Sequence, residues 1–128
     1  MRYLLDTHTF LWWIDDDPRL SGRVREIIRS ADNELVFSAA SAWEIAIKSQ
    51  LGQAEFPTEL VHLVAEQVVA NGFTSLSIEV RHALYIATLP PIHRDPFDRI
   101  LIAQSLVDEL PLLTTDPAIA RYDVSTIW

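Results

Sequence analysis

Asp6 interrupts an apolar run: "LLDTHTFLWW" (residues 4–13) passes from what reads as a buried strand into a greasy helix with a carboxylate between them. Burying that group is expensive unless something positive meets it, so Asp6 turns to solvent, caps the helix or helps hold a cation. Three further acids share the setting. Glu44 falls in the first turns of a helix after a second strand, Asp98 in the first turn of a long apolar helix, and Asp116 at the end of "LLTTD" (112–116). Brought together, four carboxylates repel one another and some hold their protons, unless a divalent cation removes that cost. Oxygen ligands without cysteine suit Mg²⁺, with Mn²⁺ as a substitute and water completing an octahedron. Zinc fits less well, because His8, His62, His82 and His93 show no paired ligand spacing. A carboxylate-held Mg²⁺ typically works on phosphates, lowering the pKa of a bound water and neutralising charge on phosphoryl oxygens. Asp6 and Asp98 are the expected direct metal ligands. Glu44 and Asp116 complete the catalytic set, directly or through water, and one of them can take a proton from the attacking water.

Each acid also has an ordinary structural reading. Ser41 to Glu44 spells S-x-x-E, a capping box. Asp95 before Pro96 is a good N-cap with proline at the first helical position, and Asp98 then gains from the helix dipole. Asp116 before Pro117 repeats the pattern. Asp6 is less easily absorbed this way, because Thr7 could cap the first helix without it.

What would bring such acids together is a parallel α/β fold. "RYLL" (2–5), "ELVFS" (34–38), "FTSL" (73–76), "LLTTD" (112–116) and "VSTIW" (124–128) read as strands. Helical patterns lie between them, over Thr7–Ile14, Leu20–Arg29, 39 to about 51, a stretch opened by Pro57 and stopped by Gly72, Ile78 to about Ala87, and 96–110, with a helical turn in "PAIARY". Leu60, Val61, Val64 and Val68 mark one apolar face of the helix after Pro57. This βα alternation predicts a parallel sheet with helices on both faces. In such sheets strand ends and the helix starts after them share one edge, where the chemistry sits.

The 128 residues suit one domain, 1–128. An apolar fraction of 49% and a charged fraction of 22% are those of a folded chain. The absence of cysteine suits a reducing cytoplasm and excludes disulfides and thiolate metal sites. A net charge of -8 argues against a general nucleic-acid coat, while leaving room for an enzyme that meets nucleic acid through a metal and a few local cations. No secretion signal is visible, and no apolar run approaches the ~20 residues of a membrane-spanning helix.

Together, "LLDTHTFLWW", "FSAASAWEIAIK", "RHALYIATLPPIHRDPFDRILIAQS" and "LLTTD" resemble the PIN-domain family, and within it the VapC-type toxins of bacterial toxin–antitoxin pairs. The resemblance runs from residue 1 to about residue 120. It implies a three-layer α/β/α fold with a four- to five-stranded parallel sheet, and a Mg²⁺- or Mn²⁺-dependent endoribonuclease with RNA as substrate. It also implies an antitoxin partner and a homodimer. The family's acidic positions fall on Asp6, Glu44, Asp98 and Asp116, and its hydroxyl next to the site on Thr114. Of the two aspartates in "HRDPFDR", counting back from "ILIAQS" assigns the helix acid to Asp98 and leaves Asp95 as a cap or outer group.

Other residues near these positions read either way. His93, Arg94 and Arg99 could meet an RNA phosphate or belong to a solvated loop and helix start. Lys48 forms an i,i+4 pair with Glu44 and could also face substrate. His8 could support Asp6 or be a satisfied histidine at a helix start. Of the adjacent Trp12 and Trp13, one is expected in the core and the other at an interface, with a second copy or the antitoxin's helix. Two alternatives to the nuclease are a phosphatase or phospho-acceptor with Asp6 as nucleophile, and a non-catalytic module whose acids are caps. "DTH" lacks the second acid of the D-x-D pattern such phosphatases use.

Overall fold

The computed structural model describes residues 1–128. In chain order the elements are β1 (Arg2–Leu5), α1 (Thr7–Ile14), α2 (Gly22–Arg29), β2 (Glu34–Ser38), α3 (Ala39–Gln50), α4 (Thr58–Ala70), β3 (Thr74–Leu76), α5 (Val80–Tyr85), a 3₁₀ turn (Ile86–Thr88), α6 (Pro96–Asp108), β4 (Leu112–Leu113), α7 (Pro117–Ala120) and β5 (Thr126–Ile127). The five strands form one sheet in the order β3-β2-β1-β4-β5, and every pairing is parallel. This is the expected three-layer α/β arrangement. No helix is long and apolar enough to cross a membrane.

Strand periodicity assigns the two cores. Leu5, Leu35, Phe37 and Leu113 point to one face and pack with Phe10, Val24, Leu60, Val64 and Val68 of α1, α2 and α4. Leu4, Val36 and Leu112 point to the other face and pack with Ile100, Leu101 and Ile102 of α6 and Ile119 of α7. Both faces being covered is why these strands are apolar at successive positions instead of alternating. Gln104 crosses the second layer as a polar tie. Its Oε1 accepts from Ser38 Oγ at 2.5 Å, and its Nε2 donates to the Ser77 carbonyl at 3.2 Å.

Several boundaries differ from the sequence reading, each for a local reason. Helix α2 starts at Gly22, because Ser21 Oγ accepts from the Val24 N–H, and Leu20 is buried in the turn before it. Pro57 is the N-cap of α4, not its first helical residue. Val61, expected on the inner face of α4, is 43% exposed and rims a groove. The helix expected from Ile78 begins at Val80, where the Glu79 N–H donates to His82 Nδ1, and gives way to the 3₁₀ turn after Tyr85. Trp12 and Trp13 do not divide into one core and one surface residue. Both are half-buried; Trp12 packs edge-on against Trp128, and Trp13 Nε1 donates to Asn71 Oδ1 at 2.9 Å.

Candidate functional site

The carboxyl edge of the sheet gathers the chemistry. Strands β1 and β4 are neighbours with Leu5 opposite Leu113, so the residues just beyond them meet. Thr114 Oγ1 lies 2.5 Å from Asp6 Oδ2 and donates to it, and accepts from the Asp116 N–H at 3.0 Å. One hydroxyl therefore joins the acids at the ends of two strands. Asp6 Oδ1 accepts from the Thr9 N–H at 2.8 Å, so Asp6 is itself the N-cap of α1 and Thr7 is not. Asp6 has extended backbone angles at the strand end, which place its side chain over the first free amides of the helix.

Glu44 arrives from the next strand outward. The S-x-x-E stretch is not a capping box: Ser38 caps α3, with its Oγ accepting from the Ala40 N–H, so Ser41 and Glu44 lie inside the helix. Glu44 is 3% exposed and fully engaged. Its Oε1 accepts from Thr7 Oγ1 at 2.6 Å, and its Oε2 lies 2.5 Å from Lys48 Nζ. The Thr7 hydroxyl is also 2.9 Å from Ser41 Oγ, which ties α1 to α3.

Asp95 and Asp98 take different places. Asp95 Oδ1 caps α6, accepting from the N–H groups of Phe97 and Asp98. Asp98 stands one turn in, with Oδ2 3.0 Å from His93 Nε2. Asp116 caps α7 through the Ala118 N–H at 2.8 Å, and Pro117 supplies the first helical position. Asp6, Asp95 and Asp116 are thus all helix caps.

The electrostatics show which acids share a neighbourhood. Burial pushes Asp98 up to about 7, the charges of Asp95, Asp116 and Glu44 add to the rise, and the His93 hydrogen bond offsets only part of it. Burial also raises Asp6, against the hydrogen bonds of Thr114 and Thr9 and the nearby His8, which lower it. Lys48 is pulled down by burial. Its hydrogen bond to Glu44 and the charges of Glu44, Asp95 and Asp98 outweigh that, so its pKa lies above the usual lysine value. Lys48 therefore faces the acids as well as pairing along α3.

The donor set fits a divalent ion of the Mg²⁺ class. The donors are hard oxygens, and burial, with the neighbouring negative charges adding to it, holds Asp98 well above a normal carboxylate. It does not fit a closed cage, because no three His, Asp or Glu side chains stand close enough to grip one ion directly. One or two carboxylates with several waters is the arrangement this spacing allows, and it is also what Mg²⁺ prefers.

The flanking residues separate. Arg94 is exposed on the loop before α6. Arg99, read either as a phosphate contact or as part of a solvated helix start, is spent on the protein: Nη1 donates to the Pro90 carbonyl at 2.9 Å and to Tyr122 Oη at 2.8 Å. His8 pairs with Glu55 at 3.2 Å and packs near Trp12 and Phe56, without a hydrogen bond to Asp6. Thr7 and Tyr122 went unread as site residues. Thr7 adjoins Asp6 and could have been weighed as its neighbour, whereas nothing local marks Tyr122. Away from the acids, an apolar groove of about 500 Å³ opens between α3 and α4 beside β3, lined by Ala42, Ala46, Val61, Ala65 and Leu76 among others.

Thr114→Val tests the hydroxyl bridge. It strands the Asp116 N–H and removes a donor from buried Asp6, at about 1–2 kcal/mol. We expect the melting temperature to fall by roughly 3–7 °C, with Thr114→Ser restoring most of it in calorimetry. A valine variant melting with the wild type would mean that the bridge contributes nothing.

Comparison with known proteins places this geometry among relatives. The model of the PIN domain matches residues 3–125. Ribonuclease VapC16 of Mycobacterium tuberculosis is 33% identical over 72 residues, covering 53% of this chain and 51% of that protein. The match thus spans about half the length of that curated relative. Among solved structures, VapBC2 from Rickettsia felis bound to a promoter DNA fragment matches with a TM-score of 0.73 at 12% identity, covering 100% of this chain and 99% of that one. VapBC-1 from nontypeable Haemophilus influenzae matches with a TM-score of 0.63 at 18% identity, over 99% and 97%. At these identities the structural likeness is one of fold.

Proposed function

The chain belongs to the PIN-domain family, and from that premise we propose that it is a single-domain, Mg²⁺- or Mn²⁺-dependent endoribonuclease of the VapC toxin type. The observation that carries the proposal is the acid edge: Asp6, Glu44, Asp98 and Asp116 come from four chain segments, and Asp98 is pushed up to about 7 by burial and its acidic neighbours. A divalent ion bound there would lower the pKa of a water and neutralise charge growing on the scissile phosphate. The protein's part is to hold the donors still. Asp6 is fixed by the Thr9 N–H and Thr114, and Asp98 by the first turn of α6 and His93. Glu44 is held by Lys48 and Thr7. Asp116 uses Oδ1 on the Ala118 N–H, which leaves its other oxygen to accept a proton.

Arg94 is the exposed cation at this edge and meets an RNA phosphate; Arg99 acts inside the protein. The chain works in the cytoplasm, consistent with its lack of cysteine. A small antitoxin protein masks it, and the groove between α3 and α4 offers apolar surface for that partner. A homodimer belongs to the same reading, with Val80 and Leu84, 75% and 70% exposed, as apolar surface on α5.

End-labelled single-stranded RNA tests the reaction class. With Mg²⁺ the wild type should leave a 5′-phosphate and a 3′-hydroxyl, and chelation should stop it. Cleavage that persists in EDTA, or that leaves a 2′,3′-cyclic phosphate, would contradict metal-activated water. The same preparation separates the alternatives. Phospho-aspartate trapped after brief exposure to a small phosphodonor would support the phosphatase, and a melting temperature indifferent to millimolar Mn²⁺ would support the non-catalytic module.

A further inference from the structure

Behind Asp98 runs a chain of three hydrogen bonds, of which the reaction scheme above uses only the first, from His93. His93 Nε2 lies 3.0 Å from Asp98 Oδ2, His93 Nδ1 lies 2.8 Å from Tyr122 Oη, and Tyr122 Oη lies 2.8 Å from Arg99 Nη1. For a neutral imidazole beside an ionised Asp98, one set of directions satisfies every group. A guanidinium can only donate, so Tyr122 Oη accepts from Arg99. The His93 backbone N–H also donates to that oxygen, at 3.4 Å. The phenol's single hydrogen then has one acceptor left, His93 Nδ1. With Nδ1 accepting, the imidazole hydrogen sits on Nε2 and is donated to the Asp98 carboxylate.

The far end is anchored. Arg99 also donates to the carbonyls of Pro90 at 2.9 Å and Ile86 at 3.4 Å, so the guanidinium is bolted to the segment that leads into the His93 loop. Tyr122 is 4% exposed, its ring is edge-on to His93 with centroids 5.4 Å apart, and the Arg99 guanidinium lies over its face. The loop before α6, the first turn of α6 and the residues after α7 thus converge on one carboxylate oxygen. A free aspartate flips its carboxylate in a broad, roughly two-fold well; a carboxylate held this way presents one oxygen to the imidazole and keeps the other for a ligand.

We infer that Arg99, Tyr122 and His93 form a hydrogen-bonded relay that fixes the Nε2–H tautomer of His93 and orients Asp98, making His93 and Tyr122 positioning residues of the acidic site. The inference rests on the nuclease reading for its catalytic meaning and on geometry alone for the tautomer. Partners of this kind, one bond removed from a metal ligand, commonly change metal affinity or activity by about 10–100-fold when removed.

Three readouts test it on the full chain. Long-range nitrogen–proton spectra of the metal-free protein at pH 8 should show one imidazole locked as Nε2–H, assigned to His93 by its loss in His93→Gln. Tyr122→Phe should convert that signal to a tautomer mixture. The Mn²⁺ concentration giving half-maximal thermal stabilisation should rise about 10-fold in Tyr122→Phe and His93→Ala, and stay within about 3-fold in His93→Gln, whose amide can still donate to Asp98. In RNA cleavage the first two should lose about 10-fold in kcat with KM nearly unchanged. An Nδ1–H tautomer in the wild type, or wild-type Mn²⁺ midpoints in both variants, would overturn the relay. Absence of RNA cleavage by the wild type, with the tautomer and midpoint effects present, would uphold the relay and refute the nuclease reading instead.

Discussion

Asp98→Asn is expected to abolish metal-dependent RNA cleavage, by about 1000-fold or more, while making the metal-free protein more stable at pH 8. Both effects come from one carboxylate. Asp98 is pushed up to about 7, first by burial and then by the negative charges of Asp95, Asp116 and Glu44. An acid whose folded pKa exceeds its unfolded one keeps its proton longer when folded, so its ionisation opposes folding. The penalty is absent below the unfolded value near 3.8, grows as pH rises, and is complete above about 7. Asparagine keeps the shape and can still accept from His93 Nε2, but it never ionises. In EDTA its melting temperature should exceed the wild type's by roughly 4–8 °C at pH 8, corresponding to about 1–2 kcal/mol, and the two should converge near pH 4. Mn²⁺ at pH 8 should reverse the order by stabilising only the wild type. Thermal scans over pH with and without metal measure this. A variant no more stable than the wild type at pH 8 would mean that ionising Asp98 costs the fold nothing.

The second large effect is on stability. Lys48→Met should lower the melting temperature by roughly 6–12 °C. Glu44 Oε2 lies 2.5 Å from Lys48 Nζ, and the Glu44 side chain is 4% exposed against 22% for Lys48. Removing one member of a buried pair strands the other, and about 3–5 kcal/mol is usual. Solvent reaching Lys48 screens part of that, so about 2–3 kcal/mol is the better expectation here. Methionine preserves most of the apolar stem and removes the ammonium, which sits 5.3 Å from the Phe56 ring centroid. Adding Glu44→Gln should recover most of the loss, since Thr7 can still donate to the amide oxygen. A double-mutant cycle reads the coupling directly. If Lys48→Met unfolds with the wild type, Glu44 finds its compensation elsewhere.

Much of this was legible because strand and cap signals are local. "RYLL" and "ELVFS" became β1 and β2 with the bounds their composition suggests, and the order of short apolar runs and helices implied the parallel sheet. Asp95 and Asp116 before proline announced their helices, and both are caps. What misled was competition among adjacent polar residues for one cap. Thr7 and Ser41 looked adequate, yet Asp6 and Ser38 hold the extended conformation at the strand ends and take the role. Glu44 was thereby freed from capping and left buried against Lys48, a pairing across one helical turn that the spacing did show. The support behind Asp98 was not legible. Tyr122 lies 24 residues after it, and only the return of the chain past α7 carries its hydroxyl to His93. Val61 fits the apolar stripe of α4 by period, but it lies at the mouth of a groove that periodicity does not reveal.

The proposed function requires one divalent ion held jointly by acids from separate segments, and crystals grown with Mn²⁺ test it. An anomalous peak should stand about 2.1 Å from a carboxylate oxygen of Asp6, Asp98 or both, with water in the remaining positions, and it should vanish in Asp98→Asn. Manganese bound only at other surface acids, or a peak that survives unchanged in that variant, would contradict it.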